Sequence, residues 1–170
     1  TGSFGLEKVS TESQNVKVSD IKYRLTGTSH YGTVVDEIKT TDANGQISFK
    51  KIEMGTYILQ EYESTKDWIL DPTEHTVVID NTGNVMIDGK DYTDSTYQVS
   101  DHPRVHGNLS FYKRGLSEEK ESVNKTKFQL SGRSDYGTDV ILYAESDNSG
   151  KVKFDDIELG ITYSQISNGM

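Results

Sequence analysis

A lysine, a glutamate and an aspartate each close a short stretch in which alternate residues are apolar: Phe4-Leu6-Lys8, Tyr57-Leu59-Glu61 and Tyr97-Val99-Asp101. Alternate residues of a strand share one face. A strand that turns its apolar pair into a core therefore turns the ionisable residue inward as well. One ammonium and two carboxylates are costly to bury unless they neutralise one another. One amine with two carboxyls can do so, and the same composition can form an amide. The plainer reading is three strand-end charges facing water, as most charged residues do.

Other residues with chemical potential read more simply. His102 and His106 stand four apart, a metal-pair spacing on a helix, but Pro103 lies between them in a linker and solvated histidines are the better account. Asp80, Asn81, Asp88, Asp91 and Asp94 lack the spacing and terminal Glu of an EF-hand loop, so they read as turn formers. Trp68 is a candidate for packing on the body of the domain or for stacking on a ligand. No nucleophile triad, P-loop or dinucleotide fingerprint is present, and no metal or cofactor is expected.

The elements that must position Lys8, Glu61 and Asp101 are strands. Period-two alternation, broken by Gly, Asn and Asp, predicts strands near 3–9, 20–27, 33–40, 46–51, 56–62, 75–80, 84–88 and 95–101. Asp42-Ala-Asn-Gly45, Asp80-Asn-Thr-Gly83 and Asp88-Gly-Lys90 are hairpin signals. Segments 11–18 and 113–125 read as polar loops. Many short strands without a convincing helix predict an all-β sandwich.

Sliding the chain by about 105 residues aligns it with itself. Tyr23-Arg-Leu-Thr-Gly-Thr-Ser-His-Tyr-Gly-Thr33 falls on Phe128-Gln-Leu-Ser-Gly-Arg-Ser-Asp-Tyr-Gly-Thr138, and Phe49-Lys-Lys-Ile-Glu-Met-Gly55 falls on Phe154-Asp-Asp-Ile-Glu-Leu-Gly160. Lys8 meets Lys113. Two tandem modules follow, 1–104 and 105–170, the second incomplete. Past Gly160 the register fails: Ile166 takes the ungapped place of Glu61, while Gln165-Ile-Ser-Asn168 is more like Gln98-Val-Ser-Asp101. Either the second copy lacks a middle segment and resumes with its closing strand, or it is cut short.

Composition limits the function further. The 170 residues carry a formal net charge of -9, which with no Lys/Arg stripe argues against nucleic-acid binding. Cysteine is absent, which removes disulfides and thiol chemistry. No apolar run approaches a membrane span. The chain opens at Thr1 without Met or leader, and the expectation is a piece of a longer protein.

The ordered motifs resemble the CnaB-type (prealbumin-like, SpaA-like) repeats of Gram-positive surface adhesins and pilins. The matching parts are the early strand ending in Lys8, the "E-box" Gly55-Thr-Tyr-Ile-Leu-Gln-Glu61, and the closing Val99-Ser-Asp101-His-Pro103. Asp101 stands where the family more often has Asn. The resemblance implies tandem Ig-like β-sandwich domains, each locked by an autocatalytic isopeptide bond. Lys8 would be the nucleophile, Asp101 the acyl acceptor and Glu61 the catalytic proton shuttle. Lys113 and Asn168 would form a second crosslink, for which the E-box acid is missing.

The physical logic of that reaction is simple. An ammonium cannot attack, so Lys8 must shed a proton, and desolvation favours neutral amines and neutral carboxyls alike. Proximity supplies an effective molarity of about 10^5 M or more. The amide would be indifferent to reductants. The resemblance therefore implies a structural stalk, outside the cell and anchored to the wall in the full-length protein, whose partners are neighbouring domains of the same surface protein. It is not an enzyme in the multiple-turnover sense. The alternative is an adhesin module that recognises a host matrix protein or glycan, with segment 63–74 and Trp68 as its distinguishing feature.

Overall fold

The structure, a computed structural model, describes residues 1–116, 123–160 and 165–168, the last stretch as backbone only. It is all-β among the described residues, and the chain divides into two compact units, Thr1–Pro103 and Arg104–Met170.

The first unit contains two sheets. In one, β1 (Gly2–Ser10) lies between β4 (Gln46–Ile52), its antiparallel partner, and β9 (Thr96–Asp101), its parallel partner. The other runs β3 (Val34–Thr40), β2 (Lys22–Ser29), β5 (Gly55–Glu63), β6 (Glu74–Ile79), β7 (Val85–Ile87) and β8 (Lys90–Asp91). Both sheets contribute to one apolar cluster: Phe4, Leu6, Ile47 and Phe49 from the first, Tyr23, Leu25, Tyr57, Leu59, Val77 and Ile79 from the second. Alternation decides this packing, because each strand turns every second side chain into the gap.

The strands match the expectation closely, with two physical exceptions. β2 starts at Lys22 because Asp20 adopts a φ of 64° and interrupts extended backbone. The two-residue β8 has too few residues to show a period. Two of the three hairpin signals act as expected, joining β6 to β7 and β7 to β8, whereas Asp42–Gly45 makes a turn that carries the chain from β3 to β4 in the other sheet. Asp42 Oδ1 accepts the N–H groups of Asn44 and Gln46, and Gly45 turns the chain at a φ of 71°.

In the second unit β10 (His106–Tyr112) pairs with β13 (Lys151–Glu158). A separate sheet runs β12 (Asp139–Glu145), β11 (Lys127–Arg133) and β14 (Gln165–Asn168). Its core is Phe128, Leu130, Val152 and Phe154, with Leu109 and Phe111 packed on it. These are the repeat counterparts of Tyr23, Leu25, Ile47, Phe49, Phe4 and Leu6. The registers repeat too: Phe4 faces Phe49 as Leu109 faces Phe154, with an irregularity just before each.

One expectation is overturned. Segment 165–168 does not lie beside β10 as a closing strand; it pairs antiparallel with β11, placing Asn168 across from Phe128. In the first unit that place belongs to β5, where Glu61 lies across from Tyr23. β14 is thus the counterpart of the E-box strand. Asn168, rather than Ile166, takes the place of Glu61. The likeness of Gln165-Ile-Ser-Asn168 to Gln98-Val-Ser-Asp101 misled because four residues of alternation fit any half-buried strand.

Candidate functional site

The first unit gathers the three predicted residues at one end of its core. β1 is the central strand of its sheet, and the face that buries Phe4 and Leu6 also buries Lys8, which is 0% exposed. β5 buries Tyr57 and Leu59 and, two residues on, Glu61 at 3%. Asp101 ends β9 at 1%, after the half-buried Tyr97 and Val99. The backbone of Lys8 is fixed as well. Its N–H donates to the Gly45 carbonyl at 2.7 Å, and its own carbonyl accepts from Val18 at 3.0 Å.

Lys8 Nζ lies 2.8 Å from Glu61 Oε2 and 2.6 Å from Asp101 Oδ1. A fourth residue completes the cluster: Lys8 Nζ donates to Tyr23 Oη at 2.7 Å, and that hydroxyl donates to Glu61 Oε2 at 3.4 Å. The contact with Asp101 differs in kind. It is close enough for an ion pair, yet neither Asp101 oxygen accepts a well-directed hydrogen bond from a described residue.

Burial sets the protonation. It pushes the Glu61 carboxyl up to about 7, against the pull of Lys8 and with the help of the Asp101 charge. Burial raises the Asp101 carboxyl too, opposed by Lys8 and Glu61. The Tyr23 hydroxyl is pushed far up by burial and by the two acids, so it stays protonated. An ammonium with two carboxylates would leave one uncompensated negative charge in a low-dielectric site. One more proton makes the cluster neutral, either as ammonium, carboxylate and carboxylic acid or as amine and two carboxylic acids. The second of these protonation states can form an amide.

The second predicted pair is not assembled in the same way. Lys113 follows β10, and its N–H donates to the Gly150 carbonyl at 2.7 Å, repeating the Lys8–Gly45 bond. Among the described residues β10 pairs only with β13, so the counterpart of β9 is not represented. The side chain of Asn168 lies outside the described residues. Phe128 stands where the first unit has Tyr23.

The remaining motifs find local roles. The Nδ1 atoms of His102 and His106 meet Thr11 Oγ1 and the Asp156 carbonyl respectively. Asp80 accepts hydrogen bonds from Thr82 and Asn84, which hold its carboxyl down at about 2 and close the turn. Trp68 packs partly buried against the first core and bridges to Pro103. Tyr23 is the member of the buried cluster that the sequence did not single out. Its signal was present: it shares a face with Leu25, and it is the hydroxyl-bearing member of a Tyr/Phe pair between the two copies.

Comparisons with known proteins agree with this architecture. Residues 2–93 match the family model described as SpaA, a prealbumin-like fold domain. No curated protein matches the sequence. Among solved structures, a streptococcal ancillary pilin aligns with TM-score 0.55 at 16% identity, over 92% of this chain and 50% of that one. The shaft pilin SpaA of Lactobacillus rhamnosus GG aligns with TM-score 0.53 at 11% identity, over 95% of this chain and 85% of that one. The pilus adhesin SpaC of the same organism, in its open conformation, gives TM-score 0.52 at 14% identity, over 92% and 23%. The chain thus spans half of the ancillary pilin and under a quarter of the adhesin. At such identities the likeness is one of fold.

Proposed function

Because the chain belongs to the SpaA family of prealbumin-like fold domains, we propose that it is a structural piece of a bacterial surface pilin or adhesin whose first unit locks itself with a Lys8–Asp101 amide. Its place is outside the cell, in a wall-anchored protein, and its partners are adjoining domains of the same chain. The two units act as tandem CnaB-like modules. The reaction happens once per molecule and consumes its own side chains, which separates it from enzyme turnover.

In the reactive protonation state, the Lys8 lone pair attacks Asp101 Cγ. A C–N bond forms and the carbonyl π pair moves onto oxygen. Glu61, protonated in this state, gives its proton to the departing hydroxyl and takes one from Nζ. The C–O bond breaks, water leaves, and Glu61 ends as it began. The observation that carries this reading is one amine held within 2.8 Å of two buried acids, with burial raising both acids.

The test is intact mass under denaturing conditions. The expected result is a first unit lighter by one water, with fragmentation locating the crosslink at Lys8 and Asp101. Full mass with a free Lys8 amine overturns the proposal. The Lys113–Asn168 crosslink is no part of this proposal, because Asn168 lies across from Phe128 as Glu61 lies across from Tyr23, and so stands at the place of the proton shuttle and not of the acyl acceptor.

A further inference from the structure

We infer that Tyr23 orients the Lys8 amine for attack on Asp101, as a positioning residue beyond the lysine and the two acids. The inference rests on the crosslinking reading above. A neutral amine has two N–H bonds and one lone pair, set in roughly tetrahedral directions. Two directions from Nζ are taken: toward Tyr23 Oη at 2.7 Å and Glu61 Oε2 at 2.8 Å, both hydrogen bonds. The third approach is to Asp101, whose Oδ1 is 2.6 Å away but accepts no directed hydrogen bond. With both N–H bonds held elsewhere, the lone pair is left facing the acyl group.

Tyr23 is suited to hold its share. It is buried on β2, between the apolar neighbours Ile21 and Leu25 on the same face, so its ring has little room to move. Its hydroxyl oxygen accepts from Lys8 while its proton points to Glu61 Oε2 at 3.4 Å. A glutamate or aspartate at this place would add a third negative charge, and a phenylalanine would offer no acceptor. The second unit has that phenylalanine: Phe128, packed in an equivalent sheet at the equivalent register. The fold therefore accepts Phe at this place, and the hydroxyl in the first unit answers to something other than packing.

The step balances as before. The C–N bond forms, the C–O bond breaks, and the Nζ proton travels through Glu61 to the hydroxyl that leaves as water. Tyr23 gains and loses nothing, and its effect is on geometry and on the proton affinity of Glu61. The titratable groups facing this cluster are Lys8 from β1, Tyr23 from β2, Glu61 from β5, Asp101 from β9 and Asp71 from the segment after β5.

The experiment follows the full chain after cell-free synthesis, quenched at intervals in acidic denaturant and weighed intact, from pH 5 to pH 9. The natural sequence and Tyr23→Phe are compared, with Lys8→Ala as the unreacting reference. The expected result is water loss at least about tenfold slower in Tyr23→Phe, since one orienting contact is gone. Its alkaline limb should also move to higher pH, because Glu61 has lost a donor that favoured its carboxylate. Equal rates, or a rate scaled by one factor at every pH, overturn the inference. Melting of Tyr23→Phe/Lys8→Ala against Lys8→Ala isolates folding; an unfolded double variant at the assay temperature also overturns it, because folding then accounts for the loss. If the natural sequence never loses water, the crosslink itself is rejected, which is a different result.

Discussion

Lys8 and Asp101 are diagonal neighbours on adjacent parallel strands: Lys8 pairs with Val99, and Ser10 pairs with Asp101. Both turn to the same face, and a two-residue diagonal lies within reach of a long side chain. Lysine spans that diagonal where a shorter amine would not. Removing it should therefore cost more than a surface charge would. For Lys8→Ala the expected outcome is an unchanged backbone mass balance (no water lost) and a stability lower by about 4–5 kcal/mol, the entropic value of closing a loop this long. Denaturant unfolding beside intact mass checks both at once.

Glu61→Gln keeps the shape of the side chain and removes its proton exchange. The cluster should stay folded but keep its full mass over the hours in which the natural sequence reacts. Complete crosslinking of Glu61→Gln at the natural rate would remove Glu61 from the mechanism.

The pH dependence has a definite sign. Glu61 titrates at about 7 in the folded chain, above the ordinary glutamate range, chiefly through burial. Before reaction the folded state holds a proton that the unfolded state releases, so stability is greatest below the unfolded value and declines as pH rises through about 7. The neutral cluster that reacts is depleted over the same range. Water loss should slow by about tenfold per pH unit above that point, and stopped time courses weighed at pH 6, 7, 8 and 9 would show it. A rate still climbing at pH 9 contradicts the assigned protonation.

Gly45 holds Lys8 in place from the backbone side. It sits at a φ of 71°, and a Cβ there would run into the Lys8 carbonyl. Gly45→Ala should lower stability by about 1–3 kcal/mol and delay crosslinking, because β1 must shift away from its turn. Gly150 repeats the arrangement at Lys113, with a φ of 79°. Thermal melts of the two alanine variants would report the two units separately.

Much of this was legible in the sequence because burial in a sheet follows a period of two. That period tied Lys8, Glu61 and Asp101 to the faces of their apolar pairs, but alternation alone still favoured three solvated strand ends, and it took the ordered motifs and the repeat to favour the inward reading. Tyr23 escaped because an aromatic on an apolar face reads as core, and only its hydroxyl contacts mark it as more. The placement of β14 escaped for a different reason: strand partners are chosen by open hydrogen-bonding edges across the whole sheet, which a four-residue pattern does not encode.

The parallel pairing of β1 and β9 has a consequence for load. Pulling on residue 1 and on residue 103 drags the two strands in opposite directions along their length, so their ladder is sheared rather than unzipped. With Lys8 joined to Asp101, the pull enters along β1, crosses the amide and leaves after Asp101. Residues 9–100 then sit in a slack loop, and about 300 Å of chain that an unjoined unit would yield on stretching stays stored. Such a unit behaves as a short inextensible link.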